Sequence, residues 1–226
     1  MSHRTIRRLF AAALLVAAGL AAAREPDLEN GEEINEVCAG CHGEFGQGGK
    51  QGIYPRLAGQ PLQFLADQLL LFRERRRPNL AMVEYVDDRQ MPDEDIQDIA
   101  AYLAAIELPS RLRPVDEDAP GFDALARLHE AKRVLQIPLA EGDVAAGERL
   151  YRRECASCHG QDGRGDPGDA TPLLTGQYTD YLWKQVDKYL QGVRIHDPSA
   201  PDDRLLAEFE RTELRDIFAY LSTLDD

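Results

Sequence analysis

The chain lacks features that mark several common functional classes. Lysine and arginine together number 26 against 40 aspartates and glutamates, so the formal net charge is −14. Nucleic acids and anionic lipids are bound by basic surfaces, and this acidic balance excludes both as main partners. It favours a partner with a basic docking face, or simply reflects a solvated acidic surface. The sequence also has no convincing Ser/His/Asp, P-loop or Rossmann pattern, so it gives no support to those enzyme classes.

Long apolar segments are missing after residue 23. The apolar run at residues 9–20 has 12 residues, whereas a transmembrane helix needs about 20. Three arginines precede this run and Ala21–Ala23 follow it, which is typical of an export signal with a small-residue cleavage site. We predict that residues 1–23 are a cleaved signal peptide and that the mature chain is periplasmic, without membrane insertion; an uncleaved anchor is the alternative. Cleavage would bring the formal charge to −17, because it removes three arginines and no acid.

The few cysteines of the chain reveal a repeat. All four lie in two similar patterns, CAGCH at 38–42 and CASCH at 155–159, which are 117 residues apart. Other residues recur at the same offset, among them the pairs Pro55 and Pro172, Gly59 and Gly176, Gln60 and Gln177, and Gln68 and Gln185. Two copies are too few for a solenoid, so the chain is interpreted as a duplicated domain. We expect domains at 24–108 and 144–226, joined by a linker at 109–143.

Each copy contains three helical patterns and no convincing strand, which predicts an all-α fold. The first helix ends at the cysteine motif, Pro61 can open the second helix of copy one, and the sequence PDED opens its third. Ile96, Ile99 and Leu103 recur at helical spacing along the third helix and should face the core. The linker contains a short helical pattern at 122–136, which we interpret as a strut packed between the domains.

The Cys-x-x-Cys-His pattern has a specific chemical meaning. Two cysteines three residues apart share one face of a helical turn, where they can form thioether bonds to one haem. A redox dithiol or a zinc site would use the same residues, but zinc would need the two pairs brought together, whereas duplicated domains hold them apart. The sequence therefore predicts two covalently bound c-type haems. Their attachment residues are Cys38, Cys41, Cys155 and Cys158, and their proximal iron ligands are His42 and His159.

Further motifs carry a family resemblance. The stretches YPRLAGQ at 54–60 and TPLLTGQ at 171–177, with DEDIQDIAAYL at 93–103 and ELRDIFAYL at 213–221, resemble the class I c-type cytochromes. The tandem arrangement is similar to the two-domain, two-haem cytochrome c4 type. This resemblance implies two tandem cytochrome c domains, each with a few helices around its haem. It also implies that the carbonyls of Pro55 and Pro172 orient the proximal imidazoles, and that a methionine ahead of the last helix binds each iron from the distal side.

The two copies differ in what they offer as a distal ligand. Copy one has Met82, at the position that the resemblance implies, and Met91, which falls on a core position at the start of the last helix. We therefore predict Met82 as the ligand. Copy two has no methionine after Cys158, and the equivalent of Met82 is a serine or an alanine. His196 is the predicted ligand there, because a neutral imidazole binds iron well. A vacant or water-bound iron and the remote His129 stay open as alternatives.

These features predict an electron carrier between redox proteins. A His/Met haem in copy one should have a higher reduction potential than a bis-His haem in copy two, so electrons would pass from the second domain to the first. Two alternatives remain open: an enzyme that uses a vacant site on the second haem for peroxide, a sulfur oxyanion or a small gas, and a subunit or sensor of a larger complex. Basic residues at 73–77, together with Arg56 and Arg194, could pair with haem propionates.

Overall fold

The computed structural model describes residues 24–135, 137–197, 200 and 204–224, and the predicted signal peptide lies outside them. The described residues form nine α-helices and two short 3₁₀ turns. The helices are α1 Leu28–His42, α2 Leu62–Arg73, α3 Leu80–Val83, α4 Asp93–Ala104, α5 Ala124–Lys132, α6 Val144–Glu154, α7 Ala156–His159, α8 Thr179–Leu190 and α9 Arg211–Leu221, and the turns are Lys50–Gly52 and Leu205–Glu208. Pairing between strands is limited, in the described chain, to one isolated bridge in each copy. The all-α prediction is therefore confirmed.

The first and last helices of each copy pack against each other, α1 on α4 and α6 on α9. A glycine permits the close approach in each pair, because a Cβ on Gly31 would overlap the carbonyl of Asp98, and one on Gly147 would overlap that of Asp216. The predicted apolar face of α4 is buried, with Ile96 and Ile99 each 1% exposed. Each copy has a separate hydrophobic core built on its own last helix.

The cysteine-bearing helix differs between the copies by one residue. Gly31 lies seven positions before Cys38, whereas the equivalent Gly147 lies eight positions before Cys155. In copy one, α1 continues without a break through the motif to His42. In copy two, the helix is interrupted at Cys155, which separates α6 from α7. The extra residue is accommodated at the break, so both motifs reach equivalent positions in their domains.

The linker helix forms at α5, but it is not the packed strut that the sequence suggested. None of its residues is buried, and Leu125 and Leu128 are 65% and 57% exposed. The linker contacts domain one after the helix instead, where Leu135 is buried in the first core and donates its amide to Pro109. The strut interpretation was wrong because it took the apolar residues of the helix as a packing face, whereas the structure buries the residue that follows it.

Candidate haem sites

The two proximal histidines have nearly the same geometry. His42 Nδ1 lies 3.0 Å from the carbonyl oxygen of Pro55, and His159 Nδ1 lies 2.9 Å from that of Pro172. A carbonyl can only accept, so Nδ1 of each ring carries the proton and Nε2 keeps its lone pair for a metal. Burial lowers the pKa of both histidines, although the proline carbonyls act in the opposite direction. Both rings are therefore neutral imidazoles, the form that binds iron.

The cysteines fit thioether attachment better than a thiolate metal site. Cys38 packs against the first core and Cys155 against the second, whereas Cys41 and Cys158 are exposed. Burial raises the pKa of both Cys38 and Cys155 to about 11, so that each is a protonated thiol at neutral pH. Zinc sites need thiolates, and the described residues contain no cluster of three or more His, Cys, Asp or Glu side chains that could hold a metal ion.

On the distal side of domain one, the two methionines occupy different environments. Met82 lies on α3 and packs, partly buried, against the first core, while Met91 is a buried member of that core at 6% exposure. Met91 thus fills the apolar position that the sequence indicated, whereas Met82 is only partly buried. Its role as ligand remains a prediction.

Arg73, at the end of α2, fixes the segment between Met82 and α4. Its Nε donates to the carbonyl of Val86 at 2.8 Å, and Nη2 donates to the carbonyl of Met91. Ion pairs with Asp88 at 2.9 Å and Asp93 at 2.6 Å complete the anchor. Position 190 is the equivalent of Arg73 in copy two and holds a leucine, so this position supplies no arginine in domain two.

In domain two, the predicted ligand His196 lies near the proximal histidine. The ring centroids of His159 and His196 are 6.2 Å apart. Imidazole nitrogens bind first-row metals such as zinc at about 2.0–2.1 Å, and a ring centroid lies roughly 1.1 Å beyond its nitrogen, so two imidazoles on opposite sides of one metal have centroids about 6.3 Å apart. The spacing is therefore suited to an iron between the rings. Tyr189 contacts the edge of His196 at 5.2 Å, and the alternative His129 is exposed on α5.

The two domains meet through equivalent residues in a reciprocal arrangement. The side chain of Gln60 accepts from Leu173 N at 3.0 Å and donates to Leu173 O at 2.9 Å. The side chain of Gln177 accepts from Arg56 N and donates to Arg56 O, both at 3.0 Å. Gln60 and Gln177 are equivalent in the repeat, and so are Arg56 and Leu173, so the contact has approximate two-fold symmetry. Both glutamines are at most 5% exposed.

A second symmetric contact brings two arginines together in the same interface. Arg77 and Arg194 each donate to the glutamine of their own domain, Gln68 or Gln185, at 2.8 Å. Each also donates to the glutamine of the opposite domain, at 3.2 and 3.1 Å. Within the described residues neither guanidinium has an acidic partner, and Arg77 Nε is buried without a hydrogen-bond partner. Two adjacent cations of this kind need an anion, and haem propionates would supply it. Burial lowers the pKa of Arg77, and the nearby charge of Arg194 lowers it further.

Sequence reasoning missed much of this interface. The offset of 117 residues also relates Arg77 to Arg194, which would have indicated their symmetric roles. It does relate Gln60 to Gln177, but no sequence pattern says that each glutamine binds the other domain. The anchor at Arg73 carried no signal beyond the basic run in which it lies.

Comparisons with known proteins agree with this architecture. The family model described as Cytochrome c matches residues 28–107 and 144–225. The thiosulfate dehydrogenase electron acceptor of Stutzerimonas stutzeri is 34% identical over 163 residues, which cover 72% of this chain and 67% of that protein. A cytochrome c4 from Thiocapsa roseopersicina is 28% identical over 217 residues, covering 90% of this chain and 96% of the relative.

Solved structures show the same fold. The reduced recombinant cytochrome c4 from Pseudomonas stutzeri superposes with a TM-score of 0.66 at 23% identity, covering 88% of this chain and 99% of its own. A thiosulfate dehydrogenase from Marichromatium purpuratum has a TM-score of 0.64 at 27% identity, with 88% of this chain matched to 40% of that one.

Proposed function

Because this chain belongs to the cytochrome c family and is a two-haem protein of the cytochrome c4 type, we propose that it is a periplasmic electron carrier in which both irons are six-coordinate. Each of its two covalently bound c-type haems, when oxidised, takes up one electron and later passes it on. The chain supplies attachment through Cys38, Cys41, Cys155 and Cys158. No helix within the described residues is long and apolar enough to cross a membrane.

The proposed ligand sets are His42 with Met82 and His159 with His196. The centroid spacing of 6.2 Å between His159 and His196 is the observation that carries the proposal, because an iron held between two imidazoles has no vacant position for a substrate. Pro55 and Pro172 accept a hydrogen bond from each proximal ring and hold its orientation. A His/Met haem has the higher potential of the two, which directs electrons from domain two to domain one.

Arg77 and Arg194 are proposed to bind haem propionates at the domain interface. Their guanidiniums are close together and, among the described residues, hydrogen-bonded to glutamine side chains and the Tyr181 hydroxyl rather than to carboxylates. Carboxylates accept short, charge-assisted hydrogen bonds from guanidinium groups. A propionate in this position would satisfy the buried Nε of Arg77. It would also place an acidic edge of each haem against the other domain.

We propose a thiosulfate-oxidising dehydrogenase as the class of electron donor. Support comes from the relative named as its electron acceptor, of whose length the chain spans about two thirds. Joining two thiosulfate anions through a new S–S bond releases two electrons, one for each haem of the carrier. The acidic chain, at −14, suits a donor with a basic docking face.

Carbon monoxide binding tests the proposed coordination. The ferrous holoprotein, with two haems counted per chain, should give the same absorption spectrum before and after exposure to carbon monoxide. The His196→Ala variant is the matched comparison, and half of its haem should bind the gas. If half of the wild-type haem binds carbon monoxide readily, the second iron is open, and catalysis or gas sensing at that haem replaces simple electron transfer as the better function.

A further inference from the structure

Each proximal histidine is connected to the opposite domain through a single peptide group. The carbonyl of Pro55 accepts from His42, and the amide of that same peptide group, Arg56 N–H, donates to Gln177 of domain two. These two hydrogen bonds, 3.0 Å each, share one conjugated amide. The histidine of the first haem is thus two hydrogen bonds and one peptide group away from a side chain of the second domain.

The same connection runs in the opposite direction. The Pro172 carbonyl accepts from His159 at 2.9 Å, and Leu173 N–H, the amide of that peptide group, donates to Gln60 of domain one at 3.0 Å. Gln60 and Gln177 are 4% and 5% exposed. At this depth water does not compete for the amides, and each glutamine is held at both ends by accepting from the residue's N–H and donating to its C=O.

Hydrogen bonds in such a chain strengthen one another. An acceptor on the N–H of a peptide group shifts electron density to its carbonyl oxygen, which then accepts more strongly from the histidine Nδ1–H. A stronger bond at Nδ1 makes the imidazole a better electron donor at Nε2 and stabilises the oxidised iron. The glutamine of one domain should therefore lower the reduction potential of the haem in the other.

We propose that Gln60 and Gln177 are crossed positioning residues, each setting the reduction potential of the haem in the opposite domain through the proximal peptide group. The inference rests on the proposed function in needing two haems of distinguishable potential, but not on the identity of either distal ligand. It makes the domain interface part of both redox centres. A partner that pulled the domains apart would raise both potentials together.

The test is a pair of reciprocal variants, Gln60→Met and Gln177→Met, in the full holoprotein. Methionine has a similar length without the amide, so each variant removes both hydrogen bonds to one residue, Arg56 or Leu173, including the bond to the N–H of its proximal peptide group. Site-resolved redox titration, with the haem methyl NMR signals as the reporter, should show that Gln177→Met raises the potential of the Cys38 haem and Gln60→Met that of the Cys155 haem. We expect about a threefold change in the ratio of oxidised to reduced haem, or about 30 mV at 59 mV per tenfold for one electron.

Amide hydrogen exchange supplies a readout that is independent of potential. In ferrous protein the Arg56 and Leu173 amides should exchange slowly, and each should exchange at least tenfold faster only in the variant that removes its own glutamine partner. Tyr181→Phe is the matched control, because it removes the cross-domain bond from Arg77 at 2.9 Å without touching either peptide group. Both amides should stay slow in this control.

Three outcomes would overturn the inference: potentials that do not move, a larger shift in the variant's own domain than in the opposite one, or equal shifts of both haems. Equal shifts with fast exchange of both amides would mean that the interface had opened. The shorter variants Gln60→Asn and Gln177→Asn keep an amide that cannot span the gap. They should reproduce the crossed pattern of potential shifts if the methionine variants disrupt the interface. If the wild-type protein binds carbon monoxide, in contrast, the proposed iron coordination is wrong. The crossed pattern of potential shifts is still expected in that case.

Discussion

His42 and His159 donate to their proline carbonyls at 3.0 and 2.9 Å, whereas the residues ahead of the last helix differ between the two domains. In domain one, Arg73 binds the segment that leads from Met82 to α4. In domain two the equivalent position holds Leu190, and the ring of His196 lies 6.2 Å from that of His159. The two copies thus share the geometry around the histidine of the motif and differ in the segment that precedes the last helix.

The largest effect should come from removing the cysteines that attach a haem, because both domains share this attachment. The double variant Cys155→Ser/Cys158→Ser removes the attachment of one haem, and a domain of about 80 residues has little core to replace the apolar surface that the haem buries. We expect one haem per chain and loss of most of the helical signal from domain two. Haem quantitation and circular dichroism measure both. The matched Cys38→Ser/Cys41→Ser variant should affect domain one in the same way, and two haems in either variant would refute thioether attachment.

The anchor of domain one is the next test. Arg73→Met removes two hydrogen bonds to buried or partly buried carbonyls and two ion pairs, so unfolding of domain one should become easier by about 2–4 kcal/mol. The ligand signature of Met82 in the ferric spectrum should weaken as its segment loosens. Denaturant titration of the holoprotein measures the first effect. Arg76→Met is the control, because Arg76 is exposed and forms an ion pair with the half-exposed Glu74. A loss of equal size in this variant would contradict the assigned role of Arg73.

Exchanging the distal ligand should make the two domains more alike. His196→Met places a thioether opposite His159, and the potential of the second haem should rise by on the order of 0.1 V, within the roughly 0.8 V range that axial ligands span. Redox titration would show the two haems approaching one another while the first stays in place. An unchanged potential for the second haem would mean that His196 does not bind its iron in the wild-type protein.

A smaller effect on stability is expected from a buried side-chain hydrogen bond to a backbone carbonyl, which the two domains form with different residues. Tyr151, fully buried, donates through its hydroxyl to the Gly160 carbonyl at 2.7 Å, and the equivalent Asn35 donates to Glu44 at 2.9 Å. Tyr151→Phe removes this bond and leaves the carbonyl only the long 3.4 Å hydrogen bond from Gly163 N–H, so it should destabilise domain two by about 1 kcal/mol. The control Tyr85→Phe changes an exposed tyrosine and should stay within about 0.5 kcal/mol of the wild type. Equal losses in the two variants would show that the bond to Gly160 contributes nothing.

Much of the proximal site could be predicted because its signals are local in sequence. Cys38, Cys41 and His42 lie within one helical turn, and the motif alone brings them together. The buried face of α4 followed in the same way from spacing along a single helix. Whether the linker helix is buried could not be predicted in this way. The apolar residues Leu125 and Leu128 are compatible with either packing or exposure until the position of each neighbouring element is known.

The all-α class, the duplication and the two c-type haems could be inferred without the structure, because periodicity, repetition and covalent chemistry are encoded over short stretches. His196 was also a candidate at that level. Three features required the folded chain: the 6.2 Å between the rings of His196 and His159, the contacts of Arg73 with the segment ahead of α4, and the hydrogen bonds of Gln60 and Gln177 across the domain interface. These contacts join residues up to 121 positions apart, and a pairing over such a distance is set by how two folded surfaces meet rather than by any local pattern.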